Sequence, residues 1–220
     1  MSSTPARLIV LEGAEGAGKS TQVGRLAARL RRRGVPVLEV REPGGTPLGD
    51  EIRRLLLQPG GDVEERAEAL LFMASRAQLV ARVVRPALAE GTTVIADRFF
   101  LSTYAYQIAG RGLPDGDVRR ANALATGGLV PDLTLLLTFP PDEGLMRAGR
   151  RGAHDRIESS GEEFHRRVAD AFELYTTDRW QQDHPECGPV VAVDGRGDAD
   201  DVARRIAEAV GGRWPETFGL

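Results

Sequence analysis

A single lysine, Lys19, stands among 29 basic residues, and it sits where phosphate chemistry can use it. The run Gly13, Ala14, Glu15, Gly16, Ala17, Gly18, Lys19, Ser20, continued by Thr21, has the spacing G-x-x-x-x-G-K-[ST]. Its glycines let backbone N–H groups turn inward around phosphate oxygens, and a helix opening behind them adds positive potential. Lys19 is then in reach of the outer phosphates and Ser20 of a Mg²⁺ ion, which is the equipment for binding ATP with Mg²⁺. Every other cation is arginine, a forked and permanently charged donor, so the compact ammonium is kept for this one place. A glycine-rich turn that binds nothing would not require an apolar strand before it, a helix after it and the sole lysine in register.

A second group follows other strand-like runs. Asp97 and Arg98 come directly after Thr93-Val94-Ile95-Ala96, and Arg41-Glu42-Pro43-Gly44-Gly45 follows the run ending at Val40. Ligands of open α/β sheets bind at such strand C-termini. There Asp97 can hold Mg²⁺ through water, while Arg98 and Arg41 can fork onto a phosphate. The simpler reading of Asp97–Arg98 is an ion pair at a strand end, and of Pro-Gly-Gly a turn.

These residues need a frame. Short apolar runs predict strands at Leu8–Leu11, Val35–Val40, Thr92–Ala96, Leu133–Thr138 and Pro189–Val193. Three of them are nearly continuous in apolar residues, as strands covered on both faces of a parallel sheet are. Helical spacing alternates with them at Lys19–Arg33, Leu48–Leu57, Val63–Ala89, Asp115–Ala125, Asp142–Gly149, Glu162–Gln182 and Ala199–Val210. The fold class is α/β, built as one P-loop domain over residues 1–220. Within Val63–Ala89, the row Leu70, Ala74, Ala77, Ala81, Val84, Leu88 is expected to face the core. Phe72, Leu79 and Val83 make a second row, with Arg76 beside it. A helix apolar on two sides is packed on two sides, so Arg76 there needs an anion or a polar partner.

Composition narrows the function. The net charge of −3 offers no general attraction for nucleic acid or an anionic membrane. No apolar run approaches the roughly 18 residues of a membrane span. One cysteine, Cys187, allows no intrachain disulfide, so the expectation is a soluble, cytoplasmic protein. His154, His165 and His184 lack metal-ligand spacing and read as surface residues; Cys187 reads as structural. The only asparagine, Asn122, is followed by Ala123, so the guanine-reading N-K-x-D element of GTPases is absent. A chain of this length is short of the parts of an ABC- or AAA-type motor, which leaves a small-molecule kinase as the leading class.

Four segments in order carry a resemblance: Leu11–Thr21, Arg41–Thr46, Asp97–Gln107 and Asp155–Glu158. Together the chain resembles the bacterial thymidylate kinases over nearly its whole length. The P-loop is generic, but Arg-Glu-Pro-Gly-Gly-Thr and Asp-Arg-x-x-x-Ser-x-x-Ala-Tyr-Gln are specific to that family among nucleoside monophosphate kinases. The resemblance implies a five-stranded parallel sheet of order 2-3-1-4-5 flanked by helices, with a short lid at about 146–160. It implies transfer of the ATP γ-phosphoryl group to dTMP with Mg²⁺, for dTTP synthesis, by a homodimer. It implies further that Phe72 stacks on thymine, that Arg76 donates to its O4, and that Thr103 and Gln107 contact the base. Tyr106 then lies beside the sugar, Arg98 and Arg41 clamp the acceptor phosphate, and Glu15 lies near sugar and phosphate. Phe72 read alone can be a core ring, though its place off the main core row favours stacking.

Around Gly149 and Gly152 stand Arg147, Arg150, Arg151 and Arg156. A basic run of this kind is ordinarily a solvated helix end, but here it resembles the lid that closes over ATP. One branch of the family has an arginine inside the P-loop; this chain has Gly16 there and resembles the branch whose lid supplies that charge. Arg147, Arg151 and Arg156 are therefore expected to be catalytic with Lys19 and Arg98. Phe172 departs from the family's tyrosine and cannot supply a hydroxyl contact. Two other functions stay open: a kinase for another monophosphate or small hydroxyl substrate, and a nucleotide-dependent binding protein or sensor.

Overall fold

The computed structural model describes residues 5–139 and 155–219. Strands β1 (Leu8–Glu12), β2 (Val37–Arg41), β3 (Thr93–Asp97), β4 (Leu133–Thr138) and β5 (Val190–Asp194) form one sheet, ordered β2-β3-β1-β4-β5. All four pairings are parallel, the expected order. Asp97 is in register with Leu11 on one side and Arg41 on the other. The three loops that leave β1, β2 and β3 therefore start from one level at the carboxyl edge.

Helices α1 (Lys19–Arg32), α2 (Pro47–Leu57), α3 (Glu65–Leu79), α4 (Arg85–Ala89), α5 (Phe100–Thr103), α6 (Asp115–Thr126), α7 (Glu162–Leu174), α8 (Asp178–Asp183), α9 (Ala199–Arg213) and α10 (Pro215–Phe218) flank the sheet. Every residue of β1 is buried. Its side chains alternate between faces, Leu8 and Val10 joining one core and Ile9 and Leu11 the other, so the apolar run is continuous. On the second face, Val23, Leu26 and Leu30 of α1 meet Val202, Ile206 and Val210 of α9. Burying each such side chain contributes about 1.5–3 kcal/mol. Local signals set the helix starts: Thr46 Oγ1 accepts from Gly49 N at 3.0 Å ahead of Pro47 in α2, and Asp198 and Asp201 form a capping box on α9.

Four expectations change. The helix read over 63–89 is interrupted by a π-helical turn at Val80–Val84, between α3 and α4. Its core side is Ala69, Met73, Leu79, Val80, Val84 and Ala87, whereas Leu70 is 62% exposed and Ala74 and Ala81 also face out. The predicted row fails at Leu70, Ala74 and Ala81 but holds at Val84 and Leu88, which meet the core, because both rows are apolar and a π turn shifts the phase between its ends. The segment after Arg98, not read as helix, is α5 followed by a π-helical stretch at Tyr104–Gly110. Leu101, Tyr104 and Ala105 are all buried, so the stretch has no polar face to reveal a helical period. The helix expected over 162–182 stops at α7 and restarts as α8, because Thr176 and Thr177 hydroxyls bond back to the Glu173 and Leu174 carbonyls. Finally α10 is an addition, seating the fully buried Phe218. The helix expected at 142–149 lies outside the described residues.

Candidate active site

Gly13, at φ 141°, and Gly18, at φ 80°, supply backbone turns that other residues resist, and a Cβ on Gly13 would come within 2.7 Å of the Leu137 carbonyl. The loop between β1 and α1 folds back over its own lysine. Lys19 Nζ donates to the carbonyls of Gly13 at 2.9 Å and Ala14 at 2.7 Å. Burial, helped by the charge of Arg98, pulls the lysine down to about 7. Ser20 Oγ donates to Asp97 Oδ2 across the gap from α1 to β3. That juxtaposes a hydroxyl and a carboxylate oxygen at the mouth of the loop, a donor pair that suits Mg²⁺, which keeps most of its shell as water and phosphate oxygens.

Arg98 is the one non-glycine residue with positive φ among the described residues, at 74°. A backbone held in this region is strained, and here several contacts hold it. Its N–H donates to Leu11 O at 3.0 Å, and its Nη1 to Gly13 O at 3.2 Å and Ser102 Oγ at 2.7 Å. Ser102 is itself gripped by Glu12, a fully buried carboxylate that also accepts from the N–H groups of Phe99 and Ser102, at 2.7 and 3.1 Å. Arg41 from the end of β2 and Arg53 from α2 line the same cavity. Burial, with Arg41 next, pulls Arg53 below its ordinary value. Three arginines gathered at one wall repel each other until an anion joins them. Arg53 was missed in the sequence reading; its signal was a polar position between the buried Ile52 and Leu56 of α2, directly after the Gly-Gly-Thr turn.

The other end of the cavity is lined by Phe72, Arg76, Thr103, Tyr106 and Gln107. Phe72 is half-buried and packs against the core, so it shows one side to the cavity and one to the protein. Arg76, 2% exposed, finds the polar partners its position demanded. Nε donates to Glu42 Oε2 at 2.7 Å; Nη2 donates to the same carboxylate and to Phe99 O; Nη1 donates to Asn122 Oδ1 and, at 3.0 Å, to Thr103 Oγ1. All five guanidinium hydrogens are thereby used, and the expectation that Arg76 itself donates to a base carbonyl meets a side chain with no donor to spare. Glu42 Oε1 is buried with no hydrogen-bond partner among the described residues. Tyr106 lies with its ring centroid 5.3 Å from the Arg98 guanidinium, and burial pushes its phenol up to about 12. Phe172 packs edge-on against it, centroids 6.4 Å apart.

Glu15, Asp155 and Glu158 line the same cavity and bring negative charge near the arginines. Burial raises Glu15, and Glu158 and Asp155 add to the rise against the pull of Arg98. Arg156 is the predicted site residue that the structure takes elsewhere. Its Nη2 donates to Glu68 Oε2 at 2.6 Å and its Nε to Leu56 O at 2.9 Å, and it does not line the cavity. Its neighbours in sequence occupy the cavity wall instead. Arg147, Arg150 and Arg151 lie outside the described residues. His165 Nε2 is within 2.9 Å of the Glu158 carbonyl, and Cys187 is fully buried. No helix among the described residues is long and apolar enough to cross a membrane.

One cavity thus joins a phosphate-binding loop, a candidate Mg²⁺ pair, an arginine clamp and an aromatic pocket with polar edges. Comparison with known proteins points the same way. Residues 11–182 match the family model described as thymidylate kinase. A thymidylate kinase of Deinococcus radiodurans is 54% identical over 164 residues, covering 74% of this chain and 80% of the relative. One of Synechococcus sp. is 46% identical over 207 residues, covering 94% and 95%. One of Rhizorhabdus wittichii is 43% identical over 214 residues, covering 96% and 100%.

Proposed function

The chain belongs to the thymidylate kinase family, and we propose that it transfers the γ-phosphoryl group of ATP to dTMP, forming dTDP and ADP on the route to dTTP. The observation that carries this reading is the single cavity shared by Lys19, Ser20 and Arg98 at the phosphate loop and by Phe72 and Gln107 beyond them. A donor bound at the loop would face an acceptor bound beyond it, and phosphoryl transfer asks for little beyond such positioning and charge neutralisation.

On this reading residues 13–21 cradle the ATP phosphates through backbone N–H groups, and Lys19 leaves the Gly13 and Ala14 carbonyls to meet the outer phosphates. Ser20 and Asp97 would hold Mg²⁺, which would supply neutralisation of the phosphate charge. Arg98, Arg41 and Arg53 clamp the acceptor phosphate. Phe72 stacks on the base, Thr103 and Gln107 read its edge, and Tyr106 and Glu15 flank the sugar. Arg76 acts by orienting Thr103. The remaining charge comes from Arg147 or Arg151. The whole of residues 1–220 serves as one catalytic domain in the cytosol.

The active form is a homodimer. α2, α3 and α6 pack side by side and expose Leu48, Leu55, Leu70 and Leu124, the last 85% accessible. Ala74 and Ala81 on the exposed row are small enough for a second copy of the helix to approach closely.

A coupled ADP-release assay over a panel of nucleoside monophosphates tests the reading. The expected result is Mg²⁺-dependent turnover with dTMP favoured over the purine monophosphates. Turnover of another acceptor in preference to dTMP, or ATP binding without turnover, would overturn it.

A further inference from the structure

Glu68 lies on α3, fully buried, and takes no part in the roles assigned above. Its Oε1 accepts from Gln107 Nε2 at 3.0 Å and Arg111 Nε at 3.1 Å. Its Oε2 accepts from Arg111 Nη2 at 3.1 Å and Arg156 Nη2 at 2.6 Å. Burial acts to raise this carboxyl, but the bonds from Arg111, Gln107 and Arg156 prevail and hold it below its ordinary value. It is therefore an ionised group that accepts and never donates.

That fact decides which way the Gln107 amide points. An amide can be turned end for end at little steric cost, so its orientation follows from its partners. Against a carboxylate only the NH₂ end is tolerated, and the Gln107 carbonyl must face the other way. Gln107 is 1% exposed and lines the cavity, and no donor among the described residues reaches its Oε1. One helical turn earlier, Thr103 Oγ1 accepts from Arg76 Nη1 at 3.0 Å, so its hydroxyl hydrogen is free to point to another acceptor. The base pocket then offers an acceptor from Gln107 beside a donor from Thr103. A pyrimidine with an imide edge, N3–H next to a C4 carbonyl, complements that pair. A cytosine edge sets its N3 lone pair against the Gln107 carbonyl, acceptor to acceptor, while its C4 amino group can still donate to the second lone pair of Thr103 Oγ1, so the discrimination lies at Gln107.

We propose that Glu68 is a specificity-determining residue: by fixing the Gln107 amide with its carbonyl toward the base, it selects imide pyrimidines (thymine and uracil) over cytosine. The proposal rests on the reading of the cavity as a monophosphate-acceptor site. Glu68 touches no substrate and acts through Gln107. Facing acceptors across a buried gap cost enough to supply at least tenfold discrimination.

The test is the variant Glu68→Gln, which keeps the shape but lets the Gln107 amide pair in either orientation. kcat/KM is measured for dTMP, dUMP and dCMP on the native protein and the variant. The expected result is that the dTMP:dCMP ratio falls at least fivefold while the dTMP:dUMP ratio stays within twofold, because both of those bases carry N3–H. A smaller fall in the first ratio, including a parallel loss for all three substrates, overturns the proposal and makes Glu68 only structural. So does an equal fall in Arg111→Gln, which loosens the cluster but leaves the Glu68–Gln107 bond. Native protein that does not phosphorylate dTMP would instead sink the functional reading. Should Glu68→Gln fail to fold, the native protein labelled with ¹³C,¹⁵N-glutamine decides. On dTMP binding the Gln107 side-chain carbonyl carbon should shift while its amide nitrogen barely moves, and the reverse pattern overturns the proposal.

Discussion

Lys19 and Arg98 donate to the same atom, the carbonyl oxygen of Gly13, at 2.9 and 3.2 Å. The cation assigned to the donor phosphates and the cation assigned to the acceptor phosphate are thus held against one backbone oxygen at the root of the P-loop. Two like charges share it only because Glu12, Glu15 and Asp97 surround them. When the phosphates arrive, both side chains can exchange that oxygen for an anion without travelling far.

Lys19 should take up a proton when ATP binds. Its value of about 7 in the nucleotide-free protein lies below the ordinary 10.5, so at pH 8 it is largely neutral, and phosphate restores its charge. Calorimetry of ATP binding in two buffers of different ionisation enthalpy should show net uptake at pH 8 that disappears near pH 6, where Lys19 is already charged. The same depression makes burying the cation a cost to folding below pH 7, and this cost fades as pH rises from 7 toward 10.5. Equal proton uptake at both pH values would contradict the assignment.

Phe72→Ala should weaken dTMP binding by roughly 1–3 kcal/mol, the range for losing one base–aromatic stack, and leave ATP affinity within twofold. The ring is half-buried against the core, so a modest drop in Tm accompanies it. A large loss of stability with unchanged dTMP affinity would make it a core ring.

Ser102→Ala removes the hydroxyl that accepts from Arg98 and donates to Glu12. Hydrogen bonds to charged groups contribute about 1.5–3 kcal/mol, so kcat/KM for dTMP should fall at least tenfold as Arg98 loses its tether. ATP affinity, measured separately, should hold. A kcat/KM within threefold of the native value would show that the Gly13 carbonyl alone orients Arg98.

Arg156→Ala and Arg151→Ala should part company. Arg156 is tied to Glu68 and the Leu56 carbonyl, so its loss should lower Tm and change kcat by less than tenfold. An arginine supplied to a phosphoryl-transfer transition state is worth ~10³–10⁵ in rate, so Arg151→Ala or Arg147→Ala should lower kcat at least a hundredfold with dTMP affinity within threefold. Steady-state kinetics on the alanine variants decides between them. If Arg156→Ala alone loses catalysis, the Glu68 pairing is not the state in which the reaction occurs.

The phosphate loop was readable from sequence because its chemistry is local: eight consecutive residues between an apolar run and a helix carry their own geometry. The alternation of strands and helices was readable for a similar reason, since a strand covered on both faces must be apolar throughout, as Leu8–Leu11 is. The doubtful elements were those without one clean period. Both rows of the 63–89 stretch are apolar, and the Tyr104–Gly110 stretch has no exposed face, so neither could be phased before its neighbours were known. Motif resemblance gave the strand order and singled out Arg41, Arg98, Phe72 and Gln107, which line one cavity. It did not give Arg53, the polar partners of Arg76, or Glu68. Arg76 meets Glu42 across 34 residues of chain and Asn122 across 46, and Glu68 meets Gln107 across 39. A residue's type states that a buried charge must be paired, but not with what. The partner is chosen by which side chains the packed helices bring within hydrogen-bond reach, and that is a property of the tertiary structure alone.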